Sequence, residues 1–155
     1  VLKLDLGMFY KRRNYSVVID GKNPIEAHEY LGRDVSGKDV IIVDDMIASG
    51  ESMIDVASKI KAMGAKRIFV FTSFGLFTGG LEVFDRAYEE GIINKVFTTN
   101  LVYRNPGLKS REWYCEVELA KYISLLINTI NHDNTISDLL NPVQKIQNLI
   151  DKVNK

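Results

Sequence analysis

The chain has 155 residues, of which 46% are hydrophobic and 26% charged, with 20 Lys plus Arg against 20 Asp plus Glu. This size and composition are typical of one globular domain with a real core, and the balanced charge gives no overall field that attracts nucleic acid or an anionic membrane. No apolar run reaches membrane-spanning length, no signal peptide is visible, and the single cysteine, Cys115, excludes a disulfide framework. We therefore expect a cytoplasmic protein in which Cys115 packs in the interior.

The first thirty residues predict a two-stranded arm that projects from the body. Residues 2–10 alternate apolar and polar side chains, and residues 15–19 are apolar and β-branched, followed by an Asp20-Gly21 turn signal. The basic triplet Lys11-Arg12-Arg13 interrupts the first of these strands. Residues 24–30 fit either a strand or a short helix.

From residue 38 onward, apolar strands alternate with amphipathic helices. Residues 38–43 include Val-Ile-Ile-Val, a pattern typical of a parallel strand that is covered on both faces. The following elements are predicted as a helix over 52–63, a strand over 67–74, a helix over 81–90, strands over 95–99 and 113–117, a helix over 118–130 and a helical tail over 136–155 that contains Pro142. This order predicts an α/β fold with a mostly parallel sheet flanked by helices. We place one domain over residues 1–142 and a helical tail over residues 143–155.

Two adjacent carboxylates, Asp44 and Asp45, follow the main strand and precede a loop that leads into a helix. Open α/β sheets bind ligands at the carboxyl ends of their strands, and helix N-termini with small residues favour phosphate. Each feature alone also fits an ordinary strand end or helix start, but together they favour a sugar phosphate with magnesium. The loop residues are Ala48, Ser49, Gly50, Glu51 and Ser52.

Other residues are weaker candidates. The basic triplet fits a solvated turn, or a positive arm that closes over polyphosphate. His28 and His132 lie far apart, without a cluster at metal-ligand spacing, and Thr78-Gly79-Gly80 fits a plain connector. The aromatic residues of the strand over 67–74 and of the segment that follows it are predicted to be core: Phe69, Phe71, Phe74, Phe77 and Phe84.

Residues 41–52 resemble the phosphoribosyl-pyrophosphate binding motif of the type I phosphoribosyltransferase fold. The chain as a whole is similar to the C-terminal half of ribose-phosphate pyrophosphokinases over nearly its full length, to about Pro142. The match includes the basic triplet ahead of the motif, the register over residues 23–45, Thr99-Asn100 and the segment 136–140.

The resemblance implies transfer of the diphosphoryl group of ATP to ribose 5-phosphate with Mg²⁺, which makes phosphoribosyl pyrophosphate. It implies that Asp44 and Asp45 hold the ribose hydroxyls directly or through magnesium, and that the loop from Ala48 to Ser52 binds the 5-phosphate. Lys11 and Arg13 would stabilise the transferring group. Ala48 and Glu51 depart from the family pattern, where Asp and Gly are common.

The resemblance also implies partners. Family members have a homologous N-terminal domain that supplies most of the ATP site, and they assemble into dimers and hexamers. We therefore expect a fragment or separately produced domain that is inactive alone. Two alternatives stay open, a phosphoribosyltransferase that consumes phosphoribosyl pyrophosphate and a non-catalytic regulatory relative of the synthetase.

Overall fold

The computed structural model describes residues 2–13 and 25–153, and the side chains of residues 11–13, 25–28 and 138 are outside that description. The chain divides into two compact units, one formed by Asp5–Val117 and the other by Val1–Leu4 with Glu118–Lys155. The predicted turn at Asp20-Gly21 and the predicted strand over 15–19 lie outside the described residues.

Two antiparallel strands, β1 (Met8–Arg13) and β2 (Ile25–Leu31), form a small sheet of their own. The basic triplet was predicted to interrupt a strand, but it forms the last three residues of β1, because Lys11 pairs with His28 and Arg12 with Ala27. The described part of the ambiguous segment, residues 25–30, lies in strand β2. The rings of Phe9 and Tyr30 contact each other at a tilt of 45°, with centroids 5.2 Å apart, and both side chains pack against the main core.

The main sheet has four parallel strands in the order β3-β4-β5-β6. The α/β fold with a parallel sheet and flanking helices is therefore confirmed. In chain order the elements of the sheet unit are β3 (Asp39–Ile47), α1 (Glu51–Ala62), β4 (Arg67–Gly75), α2 (Glu82–Glu89), β5 (Lys95–Thr99), a 3₁₀ helix (Pro106–Ser110) and β6 (Tyr114–Val117).

The core lies on one face of this sheet. Ile68, Val70 and Val96 point there and are fully buried, and Ala57 and Ile60 of α1 are buried with them. These helical residues have the spacing that the sequence predicted for an apolar helix face. Strands β4 and β5 alternate buried and more exposed residues, as expected when one face of a sheet is packed.

Two predictions are wrong, because several apolar side chains of the sheet are more exposed than expected. Val43 is 76% exposed and Ile41 47%, so β3 is not covered on both faces. Among the aromatic residues predicted as core, Phe77 and Phe84 are buried, but Phe74 is 39% exposed. Phe69, Phe71 and Cys115 are half-buried, and the rings of Phe71 and Phe97 stack at 4.3 Å.

The second unit contains three helices, α3 (Ala120–Asn131), α4 (Ser137–Leu140) and α5 (Val143–Val153). The predicted helical tail is therefore two helices with a break before Pro142, whose ring cannot continue a helix. No residue of α3 or α5 is fully buried. None of the described helices is both long and apolar enough to cross a membrane.

Candidate functional site

A pocket opens where β3 passes into the loop before α1. It is lined by polar groups and small residues from the strand end, the loop and the first turn of the helix, with three apolar side chains: Asp44, Met46, Ile47, Ala48, Ser49, Gly50, Ser52 and Met53. Its volume of about 160 Å³ is below the roughly 300–1,000 Å³ of complete small-molecule sites. The pocket is therefore suited to a phosphate group or one end of a sugar.

The two carboxylates lie inside strand β3, not after it. Asp44 pairs with Thr72 of β4, and the pairing continues through Met46 with Phe74 and Ile47 with Gly75. Strand alternation directs the Cβ atoms of Asp44 and Asp45 to opposite sides of the sheet. Asp44 lines the pocket and Asp45 is not among its lining residues.

The two acidic side chains still interact. The backbone N–H of Asp45 donates to Oδ1 of Asp44 at 2.8 Å. Partial burial raises the pKa of the Asp44 carboxyl, the Asp45 N–H opposes this rise, and the nearby Asp45 carboxyl adds to it. A cation or ligand hydroxyls beside Asp44 would relieve this unfavourable ionisation.

The segment that follows β4 packs against the loop between β3 and α1 and stabilises it. Backbone N–H groups of Leu76 and Thr78 donate to the carbonyls of Ile47 and Ala48, both at 2.9 Å. Gly79 lies against the Ser49 backbone, since a Cβ on Gly79 would come within 3.0 Å of the Ser49 carbonyl oxygen. The Thr78-Gly79-Gly80 connector therefore supports the loop by hydrogen bonding and close packing, a role that the sequence alone did not reveal.

Helix α1 begins without a side-chain cap. Its N-cap residue, Gly50, has a left-handed φ of 96° and no side chain that accepts a hydrogen bond. The first N–H groups of a helix have no partner within the helix, and together with the helix dipole they favour an anion. The carbonyl of Gly50 accepts from the N–H of Ile54 at 3.0 Å, which closes the first turn.

The structure brings together most of the residues predicted for the sugar-phosphate site. Asp44, Ala48, Ser49, Gly50 and Ser52 share the pocket, whereas Asp45 and Glu51 do not line it.

Lys11 and Arg13 are in β1, but their side chains are outside the described part of the chain. Phe84 packs against the loop at Gly50, where its ring fills the space that a Cβ would need. Only its aromatic, core-like spacing points to this role in the sequence.

The protein ligands near the pocket are too few to hold a metal ion alone, so they fit a metal that is also bound by the substrate. Within the described residues there is no group of three or more His, Cys, Asp or Glu side chains that could hold a metal ion. Magnesium is often bound by one or two carboxylates plus phosphate oxygens and water. Asp44 and Asp45 are the carboxylates that could supply such ligands.

Comparisons with known proteins give a consistent result. A family model, the phosphoribosyl synthetase-associated domain, matches residues 16–141. The chain is similar to ribose-phosphate pyrophosphokinases of Mycoplasmopsis pulmonis, with 30% identity over 68% of this chain and 32% of the relative, and of Vibrio cholerae, with 25% identity over 89% of this chain and 41% of the relative.

A solved structure gives the fold. The phosphoribosylpyrophosphate synthetase from Mycobacterium smegmatis matches with a TM-score of 0.60 and 22% identity, over 70% of this chain and 35% of that chain. This chain therefore spans 32–41% of the length of these proteins. The family match over residues 16–141 covers most of the sequence, and the chain belongs to the phosphoribosyl synthetase-associated domain family, among the relatives of ribose-phosphate pyrophosphokinase.

Proposed function

We propose that this chain is the ribose-5-phosphate-binding part of a ribose-phosphate pyrophosphokinase. The observation that carries the proposal is one pocket that combines the Asp44 carboxylate with the uncapped helix start at Gly50. A sugar phosphate needs both, because its hydroxyls donate to carboxylates and its phosphate accepts from N–H groups.

Each residue has a specific part in the proposed site. The 5-phosphate accepts from backbone N–H groups at Gly50, Glu51 and Ser52 and from the hydroxyls of Ser49 and Ser52. The Glu51 side chain points away from the pocket, so that its carboxylate does not repel the phosphate. Asp44, which lines the pocket, receives the ribose hydroxyls. Asp45, whose Cβ lies on the other side of β3, would reach this contact from the end of the strand, directly or through Mg²⁺.

The reaction proposed for the whole enzyme transfers the diphosphoryl group of ATP to the anomeric hydroxyl of ribose 5-phosphate. Positioning and charge neutralisation carry most of the work in such a transfer. Lys11 and Arg13 would neutralise the charge that develops on the transferring group. The N-terminal domain of the enzyme would supply most of the ATP site, within a dimer or hexamer.

Calorimetry on the 155-residue chain tests the binding site. We expect ribose 5-phosphate to bind and Mg²⁺ to strengthen the binding. Asp44→Asn and Asp45→Asn should each weaken binding by about tenfold, the size of one hydrogen bond to a charged group. Asp151→Asn removes the same charge from α5 and is the matched control, which should bind as the wild type does.

The outcomes separate the possibilities. No binding, or binding indifferent to both Asp44 and Asp45, would overturn the proposed function. AMP release from ATP and ribose 5-phosphate should be absent for this chain alone and should appear when the N-terminal domain of a relative is added. Turnover by the chain alone would show that the ATP site lies within it.

A further inference from the structure

A row of polar residues crosses the sheet at the level of Asp44. The strand registers pair Asp44 with Thr72, Thr72 with Thr98, and Thr98 with Glu116. Residues paired in this way point to the same side of a sheet, and neighbouring strands lie about 4.8 Å apart. Thr72 and Thr98 are the buried polar members of this row, since they are 7% and 2% exposed.

The two threonines differ in their hydrogen bonds. Oγ1 of Thr98 lies 2.9 Å from the hydroxyl of Tyr114, within hydrogen-bond distance. Oγ1 of Thr72 is buried and has no hydrogen-bond partner among the residues that the structure describes. An unpaired buried hydroxyl lowers stability, so a valine of the same shape would be the better residue here if packing were the only requirement.

Thr72 is next to a carboxylate that has acceptor capacity. Asp44 accepts from the Asp45 N–H at Oδ1, and a carboxylate has a second oxygen with further lone pairs. Rotation of the Thr72 side chain about χ1 can turn its hydroxyl towards the strand on which Asp44 lies. The same hydroxyl is covered and does not line the pocket, so a ligand in the pocket does not touch it.

We infer that Thr72 is a positioning residue, whose hydroxyl donates to the Asp44 carboxylate and orients it towards a sugar phosphate in the pocket. The inference rests on the proposed function, because it assigns the unpaired hydroxyl to the binding-competent orientation of Asp44. Thr72 thus acts through Asp44 and makes no contact with the ligand.

Three variants of the full chain test this inference by calorimetry with ribose 5-phosphate and by thermal unfolding. Thr72→Val should bind about tenfold more weakly, the loss of one hydrogen bond to a charged group, while its Tm stays equal or rises. Thr72→Ser keeps the hydroxyl and should bind within about twofold of the wild type. Thr98→Val is the matched control, which should lower Tm through the loss of the Tyr114 partner and leave affinity within about twofold.

The results distinguish this inference from the proposed function. Equal binding by the wild type and Thr72→Val, or equal weakening by Thr72→Val and Thr72→Ser, would overturn the role of Thr72 alone. A Thr72→Val variant with a lower Tm and weaker binding in proportion to unfolding would also overturn it, because a structural role would then suffice. Absence of binding by the wild type would overturn the proposed function and this inference together.

Discussion

At Gly50 the chain turns out of the loop and into α1 with a φ of 96°. Residues with a Cβ are strained at such values. The space for a side chain is also filled, because a Cβ on Gly50 would lie 2.2 Å from an atom of the Phe84 ring. Phe84 is itself fully buried and stacks on Trp113 at 5.3 Å, so it has little room to move away. Backbone strain and steric overlap therefore act at the same residue.

Gly50→Ala is expected to be more destabilising than glycine-to-alanine changes at other left-handed positions. Gly91 has a φ of 68° with nothing within 4 Å of a Cβ, so Gly91→Ala measures the cost of the left-handed backbone conformation alone. We expect Gly91→Ala to cost about 1–2 kcal/mol, and Gly50→Ala to cost roughly 1–3 kcal/mol more because of the overlap with Phe84. Urea unfolding measures both. Equal losses would show that the Phe84 ring moves aside without cost.

Among the elements, strand β3 has an unusual environment for a parallel strand. Parallel strands are normally covered on both faces, and its Val-Ile-Ile-Val pattern predicts the same. Yet Val43 is 76% exposed, whereas Val70 on the neighbouring strand is fully buried. The two valines thus test opposite faces of the same sheet.

Val43→Thr and Val70→Thr introduce the same hydroxyl with almost no change of shape. We expect Val43→Thr to change the free energy of unfolding by less than about 0.5 kcal/mol, as exposed substitutions do. Val70→Thr should cost roughly 1–3 kcal/mol, since the hydroxyl becomes buried in an apolar layer. The measurement is denaturant unfolding at pH 7. A comparable loss at both positions would mean that the face of Val43 is covered in solution.

A second element-level feature is the brace between α2 and the segment before β6. The Asp85 carboxylate accepts from the Arg111 guanidinium at 3.0–3.3 Å and from the Trp113 indole N–H at 2.7 Å. The hydrogen bonds from Arg111 are the main cause that lowers the pKa of Asp85 below its ordinary value of 3.8, and the bond from Trp113 adds to this against partial desolvation. Trp113 is 2% exposed, so the brace also fixes a large core side chain.

Asp85→Asn should therefore lower stability in a pH-dependent way. Because the folded state lowers this pKa, the unfolded state binds more protons, and the stabilisation is present above the ordinary pKa of 3.8 and is lost as pH falls through the folded value. At pH 7 we expect the free energy of unfolding of Asp85→Asn to be about 1–2 kcal/mol below that of the wild type. This gap between the two proteins should become smaller below pH 3.8. Thermal unfolding from pH 7 to pH 2.5 measures the gap. A gap that is constant over this range would contradict a charged role for Asp85.

At the scale of the whole molecule, the sequence predicts the elements whose patterns are local. The predicted boundaries of β5 are those of the structure, and those of α1 and β4 differ by one residue, because apolar spacing and flanking glycines mark them. The sequence also predicts most of the residues that line the pocket, because the acidic and small residues are contiguous along the chain. The predicted class of ligand, a sugar phosphate, follows from these carboxylates and small residues.

The remaining features depend on contacts between distant segments. Strand β3 continues through the acids to Ile47 because β4 extends the pairing to Gly75. The support of the loop by Thr78 and Phe84 comes from residues that are about thirty positions away. The unpaired hydroxyl of Thr72 also depends on what the fold places around it. No periodicity in one stretch of sequence encodes these relations.

The last helix, α5, is outside the family match, which ends at residue 141. It contains no fully buried residue, and Val153 and Leu149 are 86% and 61% exposed. A helix that buries so little apolar surface adds little to stability, so a chain shortened to residues 1–141 should keep its fold. We expect its Tm to fall by no more than about 2–4 °C, the equivalent of about 1 kcal/mol for a domain of this size, with unchanged affinity for ribose 5-phosphate. Calorimetric unfolding and binding of the two chains check this. A larger fall in Tm that depends on protein concentration would show instead that the apolar stripe of α5 packs against a second copy of the chain.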